Sequence, residues 1–321
     1  MCYSARVKQN LKELSRRFDA SIDFKAFQVI FKERLAGSGA KLSKALEASF
    51  DAKSSNKIEQ QIAEDIAKFR EKELLDIQTN LFAQKKRLVD AEKQIKIKVT
   101  KKTENEIRVA TNKIESFKNK LDRLQSKKIS DGDSRIFPGQ YAPMIVVDDG
   151  KRVIRPFRYL LRPRGQAESF DRKYNGAYNV RRDRIQEVFW WKSIFGKNHG
   201  VLVIDSFWEN VKRHNYEKRA LKKGEEEENL VLHFKPKDLD LMTVPCIFDQ
   251  NDEGKLTLHS FALITDEPNP EVAAAGHDRT PIIMKEKHMD QWLNTKNVPL
   301  SNYEVVFTDK QPTYFNHQIA A

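Results

Sequence analysis

The feature that most constrains this chain is a long stretch that lacks both residues that break helices. No glycine occurs between Gly39 and Gly132, and all 11 prolines lie at or after Pro138. A stretch of this kind can form continuous helix. Its apolar residues recur at helical spacing, at Ile58, Ile62, Ile66, Phe69, Leu74, Ile77, Leu81 and Leu88, and then at Ile107, Ile114, Phe117, Leu121 and Leu124. The second run has the heptad spacing typical of a coiled coil.

The segment IKIKVT at 95–100 interrupts the helical period between these two runs. Thr103 and Glu106 then have the spacing of a capping box, which predicts that a helix restarts there. We therefore predict two long helices over about 57–128 that form an antiparallel hairpin. One long bent helix is the competing interpretation. The turn residues of ISDGDS at 129–134 end the helical region.

The hydrophobic pattern changes at about residue 135. From there the sequence has short apolar runs separated by Gly, Pro, Asn and Asp, which is typical of strands. The runs are PMIVV (143–147), HGVLVID (199–205), LVLHF (230–234), MTVPCIF (242–248) and LHSFALIT (258–265). Helical patterns occur at 183–195 and 285–294, and we interpret the acidic run GEEEEN (224–229) as a solvated hairpin tip. This order predicts an α+β domain with a mostly antiparallel sheet.

The net charge of +12 is typical of a protein with a polyanionic partner, and its distribution is uneven. Residues 131–321 contain 28 Lys and Arg against 28 Asp and Glu, so their net charge is zero. Residues 1–130 contain the other 30 basic and 18 acidic side chains, which is the whole excess. The helical region and the strand-rich region are therefore chemically different.

Composition also argues against several classes of protein. No run approaches the ~20 apolar residues of a membrane span, and the first residues do not resemble a secretory signal, so we expect no membrane partner. Cys2 and Cys246 are the two cysteines, too few for a disulfide framework, which favours a cytoplasmic setting. Seven histidines and two cysteines without zinc-type spacing, and no phosphate-binding glycine loop, lead us to expect neither a metal nor a cofactor.

Cys2 directly follows Met1. A stray terminal thiol is the ordinary interpretation of such a residue. If Met1 is removed, however, Cys2 carries both a thiol and an α-amine whose reference pKa is roughly 7.7–8.0, so part of the amine is nucleophilic near pH 7. An adjacent amine and thiol can trap an aldehyde as an imine that closes to a thiazolidine. Alternatively, the thiolate alone can attack an acyl carbon, as in N-terminal-nucleophile hydrolases.

Three other segments contain candidate functional residues. In YNVRRDRI (178–185), Asn179 and Arg181 lie on one side of an extended segment, at the end of a basic stretch over 151–182 whose interleaved aromatic rings could stack on unpaired bases. Glu209 follows Trp208, and a carboxylate beside an aromatic surface can have a raised pKa. His277 lies in GHDRTPIIM (276–284) and is suited to proton transfer. A solvated basic loop, a strand-end glutamate and a structural loop histidine are the respective alternatives.

These pieces, in this order, resemble the SOS response-associated peptidase (SRAP) family of abasic-site processing proteins. The similar segments are Met1-Cys2, LKELSRRF (11–18), PGQYAPMIVV (138–147), RPFRYLLRP (155–163), NVR (179–181), SFWENVKR (206–213), FALITDEPNPEVAAAGHDRTPIIM (261–284) and Trp292-Leu293. The resemblance implies an SRAP-like domain over 1–20 and 132–321, with a mostly antiparallel sheet or barrel core and flanking helices. Residues 21–131 would be a helical insertion with the coiled-coil hairpin.

The resemblance also implies a role for each candidate residue. Cys2 would form a covalent thiazolidine link to the aldehyde of an abasic site in single-stranded DNA, and Asn179 would position its amine and the sugar. Glu209 would move protons during imine formation and ring closure, and His277 would assist opening of the sugar ring. The implied DNA-binding residues are Arg181, Arg279, Arg158, Arg162, Tyr159 and Trp208. The family is also credited with self-processing peptidase activity and, in some members, with strand cleavage by a lyase route.

The sequence departs from the family's patterns at several positions. Tyr3-Ser4 replaces a glycine and an arginine after the cysteine, Gln140 replaces an asparagine, Tyr159-Leu160 replaces Trp-Gly, and Asn210 replaces a tryptophan. The four proposed reacting side chains are retained, so the departures bear more on how DNA is held than on the chemistry.

The leading hypothesis is therefore a cytoplasmic, nucleoid-associated DNA-repair protein that captures abasic sites through Cys2. An N-terminal-cysteine amidohydrolase or glutamine amidotransferase also begins with Met-Cys, although no glutamine-binding signature is present. A third hypothesis treats the basic coiled coil as a non-enzymatic DNA-tethering module. Its heptads suggest self-association or a helical partner, and a solvated stalk is the alternative.

Overall fold

The computed structural model describes residues 3–253 and 256–320, with the backbone alone at 253 and 256. The chain divides into two compact units. The first contains the chain up to Ile30, Gly39–Phe50 and the chain from Ser130 onward, and the second contains Phe31–Ser38 and Asp51–Ile129. The assignment of residues 21–131 to an insertion stays a prediction.

The strands of the described residues belong to one mixed sheet. They are β1 (Ser4–Val7), β2 (Ser21–Ile22), β3 (Arg135–Ile136), β4 (Tyr141–Asp148), β5 (Lys151–Tyr159), β6 (Asn179–Arg181), β7 (His199–Lys212), β8 (Asn229–Pro236), β9 (Met242–Glu253), β10 (Leu256–Asp266), β11 (Thr280–Pro281) and β12 (Phe315–Ile319).

The helices vary widely in length. They are α1 (Leu11–Phe18), α2 (Phe24–Leu35), α3 (Lys44–Glu47), α4 (Lys57–Ile97), α5 (Lys101–Gln125), α6 (Ser169–Lys173), α7 (Phe189–Ile194), α8 (Arg213–Tyr216), α9 (Pro270–Ala274), α10 (Met289–Leu293) and α11 (Glu304–Thr308).

Five of the strands close into a barrel. β7 pairs with β4, β4 with β5, β5 with β10, β10 with β9, and β9 returns to β7. The β5–β10 pairing is parallel and the other four are antiparallel. Closure of the circuit leaves no free edge in this part of the sheet. The predicted α+β fold with a mostly antiparallel barrel core is confirmed.

Side chains from all five strands fill the barrel core. The fully or almost fully buried ones include Met144, Phe157, Leu202, Val244 and Phe261. Consecutive residues of β4 and of the first part of β7 are buried, so both faces of these strands are covered, which explains why the sequence shows short continuous apolar runs. This core holds the strand ends that carry the candidate site.

Three strands outside the circuit bring remote sequence to the barrel. β1 pairs antiparallel with the second half of β7, and β6 pairs parallel with β10, with Asn179 opposite Leu263. β8 pairs with β7 over 207–212, where β7 has already left β9. The middle of β7 is therefore lined on one side by the start of the chain and on the other by β8.

The second unit contains the predicted helical hairpin. α4 and α5 lie antiparallel, and Arg87 Nε donates to Glu106 Oε2 across the pair at 2.5 Å. Ile62, Ile66, Ile77, Leu81, Ala110 and Ile114 are buried in this unit. Two helices separated by 98–100 favour the hairpin over one long bent helix, and the long α4 fits the predicted insertion.

The predicted capping box is wrong in detail. The residue that caps α5 is Thr100, whose Oγ1 accepts the Thr103 N–H at 3.2 Å, and the helix begins three residues earlier than expected. Glu106 instead pairs with Arg87. Thr103 satisfied the spacing rule with Glu106 and Thr100 did not, but the residue with the extended backbone of a cap is Thr100.

Two predicted helical patterns are shorter in the structure. Residues 183–195 contain a 3₁₀ turn at Arg182–Arg184 followed by α7, and 285–294 contain a 3₁₀ turn at Glu286–His288 followed by α10.

The acidic run at 224–229 forms ion pairs with basic residues close in sequence. Lys212 binds Glu227, Arg213 binds Glu228, and Arg219 binds Glu225. Within the described residues, no helix has the length and apolar character that crossing a membrane requires.

Candidate functional site

Glu209 lies in the middle of β7, opposite Leu232 of β8, and its side chain has no exposed surface. Burial disfavours a charged carboxylate and raises the pKa of Glu209 to about 8. The side chain is therefore mainly a neutral carboxylic acid at pH 7, which can donate a proton. This agrees with the prediction that Glu209 has a raised pKa.

His277 lies next to Glu209, with its Nε2 3.5 Å from Glu209 Oε2. Its Nδ1 contacts both backbone groups of Arg279, at 2.9 Å from the carbonyl oxygen and 3.2 Å from the N–H. Burial lowers the pKa of His277 below its ordinary value, so the ring is mainly neutral near pH 7. A neutral imidazole beside a protonated carboxyl group is an arrangement in which a proton can move in either direction.

The backbone of Gly276 explains how the histidine loop is placed. Its φ is +89°, in the left-handed region that favours glycine. A Cβ at this position would lie 2.8 Å from the Asn215 carbonyl carbon and 3.0 Å from the Tyr216 nitrogen. The loop therefore packs directly on the backbone of α8, and only glycine fits.

Asn179 begins β6 and is buried. Tyr159 Oη donates to Asn179 Oδ1 at 3.3 Å, which leaves the amide N–H₂ group as the donor side of Asn179. Tyr159 is fully buried, with its ring 5.2 Å from that of Phe261. Tyr159 was predicted to contact DNA, and its observed position suits orientation of Asn179 instead. Its DNA-binding role stays a prediction.

Arg181 and Arg279 are linked by Asp183, a residue that the sequence analysis did not select. Arg181 Nε and Nη2 donate to the two carboxylate oxygens of Asp183 at 3.1 and 2.5 Å. From the other side, Arg279 Nη1 and Nη2 lie 3.4 and 3.5 Å from the same oxygens. These contacts, with Arg181 foremost, lower the pKa of Asp183 to about 2. Its position two residues after Arg181 was the sequence signal that could have identified Asp183 as a partner of that arginine.

Two other predicted DNA-binding arginines are bound to one carboxylate. Arg158 Nη1 and Arg162 Nη2 each contact Asp171 Oδ2 at 2.6 Å, and the Arg162 side chain is 4% exposed. Trp208 is also buried, with its ring stacked 4.1 Å from the His233 ring and the Arg135 guanidinium carbon 4.1 Å from its ring centroid. The DNA-binding roles of Arg158, Arg162 and Trp208 therefore stay predictions.

The start of the chain runs into this region. Ser4 lies opposite Trp208, and Tyr3 donates its backbone N–H to the Trp208 carbonyl oxygen at 3.0 Å. Glu209 is the residue that follows Trp208 in β7. Cys2, the predicted nucleophile, lies outside the described residues. The other cysteine, Cys246, is fully buried, and burial raises the pKa of its thiol, so it is not a reactive alternative.

An open depression of about 510 Å³ adjoins His277. It is lined by His214, Asn215, Lys218, Arg219, Ala273, Gly276, His277 and Asp278. Among the described residues, no group of three or more His, Cys, Asp and Glu side chains is arranged to hold a metal ion. Of the candidate residues, His277 lines this depression, Glu209 lies beside His277, and the Arg279 backbone contacts the His277 ring.

The model of one protein family, the SOS response associated peptidase (SRAP) family, matches residues 99–317. The chain belongs to the SRAP family. Members are associated with the response to DNA damage, and this SRAP protein therefore has a DNA-damage-associated function of the abasic-site type in general terms. The predicted family is confirmed.

Solved structures similar to this SRAP protein include proteins from two bacteria. A Bacteroides thetaiotaomicron protein has 16% identity and a TM-score of 0.46, covering 58% of this chain and 77% of its own. A Bordetella bronchiseptica protein has 14% identity and a TM-score of 0.45, covering 61% and 90%. A phage-related protein of the same organism has 16% identity and a TM-score of 0.43, covering 58% and 80%. No curated protein sequence matches the chain.

Proposed function

We propose that this SRAP protein captures abasic sites in single-stranded DNA by forming a thiazolidine crosslink through Cys2 after Met1 is removed. The observation that carries the proposal is the buried Glu209–His277 pair, which lies beside the strand that leads to Tyr3. Cys2 is the residue before Tyr3 in the sequence.

The proposed reaction has two bond-forming steps. The Cys2 amine attacks the aldehyde carbon of the ring-opened sugar, and loss of water gives an imine. The Cys2 sulfur then attacks the imine carbon, and the thiol proton passes to the nitrogen as the thiazolidine closes. A protonated Glu209 can donate a proton to the departing hydroxyl group, and the neutral imidazole of His277 can take up the proton that the amine nitrogen releases and pass it to the Glu209 carboxylate.

The neighbouring polar groups supply binding and orientation. With its Oδ1 held by Tyr159, Asn179 can donate its amide hydrogens to the sugar or to the incoming amine nitrogen. Arg181, whose side chain is 39% exposed, can bind a DNA phosphate beside the lesion. We also propose that the same acid–base pair supports the self-processing peptidase activity and any lyase cleavage attributed to the family, and that the protein acts at chromosomal DNA.

The proposal is tested by incubating the purified protein with single-stranded DNA containing one abasic site and resolving the products on a denaturing gel. The wild-type protein and Cys246→Ala should both give a covalent adduct, while Cys2→Ala should give none. A full adduct with Cys2→Ala would reject the proposal. The rival amidohydrolase function predicts the opposite pattern, namely glutamine hydrolysis without any DNA adduct.

The helical hairpin supports a separate proposal. Leu75, Phe82 and Val89 are spaced by seven residues on α4, and their side chains are 63%, 69% and 46% exposed. A heptad-spaced apolar stripe on a long helix is typical of a surface that packs against another helix. We propose that this stripe mediates self-association of the protein.

A further inference from the structure

Asp183 occupies a central place among the charged groups near the site. Each of its two carboxylate oxygens contacts both Arg181 and Arg279. Arg181 comes from the end of β6, whereas Arg279 comes from the loop between α9 and β11. The carboxylate therefore ties together two segments that are almost a hundred residues apart.

The two arginines differ in how completely they are satisfied. Arg181 forms a two-pronged contact with Asp183, with donor–acceptor distances of 3.1 and 2.5 Å. The Arg279 residue is 8% exposed, its contacts with Asp183 are 3.4 and 3.5 Å long, and its buried Nε has no hydrogen-bond acceptor within the described chain. Two guanidinium groups share one carboxylate, so these three side chains together carry a net positive charge and leave one donor unused, while Asp278 and Glu187 act more weakly on Arg181. This arrangement fits one additional anionic group.

Arg279 also connects this cluster to the acid–base pair. Its backbone N–H and carbonyl oxygen contact His277 Nδ1, and His277 Nε2 faces Glu209. A movement of Arg279 would therefore change the orientation of the imidazole ring. The contacts form a continuous path from Asp183 through Arg279 to His277.

We propose that Asp183 is a positioning residue that holds Arg181 and Arg279 together as one phosphate-binding pair and, through Arg279, fixes the ring of His277. In the free protein the Asp183 carboxylate lies between the two guanidinium groups. A bound DNA phosphate would share these two guanidinium groups with it. Asp183 thus weakens DNA binding through its negative charge while it supports the chemical step. This inference rests on the proposed DNA function, which supplies the phosphate.

The two effects have opposite signs, and this makes the inference testable with Asp183→Asn. Loss of the charge should strengthen binding of intact single-stranded DNA by roughly 3- to 10-fold and steepen its salt dependence by about 0.7 in the log–log slope. The rate of crosslinking at saturating DNA should fall by about 10-fold or more because His277 is no longer fixed. Asp183→Glu, which restores the carboxylate, should recover most of the rate.

The matched control is Glu187→Gln, which removes the same charge from an exposed carboxylate four residues away that pairs with Arg184. It should change the saturating rate less than twofold. If Asp183→Asn behaves like this control, or weakens both binding and rate together, the inference is wrong. Binding of DNA without an abasic site needs no crosslink, so a wild-type protein that forms no adduct would reject the proposed function and leave the binding comparison to decide the role of Asp183.

Discussion

At the scale of single residues, the burial of Glu209 provides a proton donor for the proposed reaction but lowers the stability of the fold near pH 7. The folded protein holds this carboxyl group with a pKa of about 8, against an ordinary value of 4.5. Such a group contributes stability that is fully present below pH 4.5 and is lost as the pH rises through 8, because the unfolded chain releases its proton more readily. Near pH 7 a buried Glu209 therefore lowers the free energy of unfolding.

Replacing Glu209 with Gln should remove this penalty while keeping the shape of the side chain. We expect the free energy of unfolding at pH 7 to rise by ~3 kcal/mol and the gain to disappear at pH 4, as measured by denaturant titration at both pH values. The crosslinking rate of the variant should fall by roughly 100-fold because the proton donor is lost. A variant that is less stable at pH 7, or fully active, would contradict the role given to Glu209.

Gly276 provides a second prediction at this scale. Gly276→Ala puts a Cβ against the backbone of α8 and requires a left-handed φ from alanine, so the loop with His277 must shift. We expect the crosslinking rate to fall about 10-fold or more. Gly150→Ala is the control, since Gly150 also has a positive φ but its Cβ would meet nothing within 4 Å, and it lies in the β4–β5 turn. Equal rates for the two variants would show that the close approach at Gly276 is unimportant.

At the scale of elements, the exposed stripe on α4 carries its own prediction. Phe82→Glu should shift the protein from an associated form toward the monomer, as measured by sedimentation at micromolar concentrations, because a charge replaces the central apolar contact. Lys85→Glu, which alters a neighbouring exposed residue without removing an apolar one, should shift the equilibrium much less. A wild-type protein that is monomeric at all concentrations would contradict the proposed self-association.

The elements themselves were largely predictable from the sequence. The strands β4, β7, β8, β9 and β10 each contain a predicted apolar run, and α4 and α5 follow the predicted helical periodicity. Periodicity does not fix element ends, however, because caps depend on local backbone geometry. Thr100 caps α5 although Thr103 had the expected spacing. The lengths of the helices predicted at 183–195 and 285–294 were overestimated. Apolar residues in these segments are buried whether or not the backbone around them is helical.

At the scale of the whole molecule, the candidate residues come from segments that are far apart in the sequence and belong to one compact unit. Glu209 comes from β7, Asn179 from β6, and His277 from the loop after α9, and each had a recognisable local motif. The pairing of Asp183 with Arg279 and of Asp171 with Arg158 and Arg162 had none. These contacts depend on tertiary geometry, so a single sequence could identify the candidate reacting groups but not the acids that hold the arginines.

All described candidate residues belong to the first compact unit, which leads to a prediction about the second. Residues 51–129 contain 20 Lys and Arg against 13 Asp and Glu, a net charge of +7. Replacing them with a short Gly-Ser linker should leave the crosslinking rate at saturating DNA within about threefold. The affinity for single-stranded DNA should fall at low salt, with a shallower salt dependence in anisotropy titrations. Unchanged affinity and salt dependence would mean that the hairpin does not help to hold DNA.

The central claim is that the amine and thiol of Cys2 form the covalent bond to the abasic site. Mass spectrometry of the wild-type adduct after trypsin digestion tests it directly. We predict that the DNA is attached to the peptide of residues 2–6, without Met1, with the loss of one water relative to the sum of the two reactants. An adduct on a lysine-containing peptide, or on a peptide that retains Met1, would contradict the account.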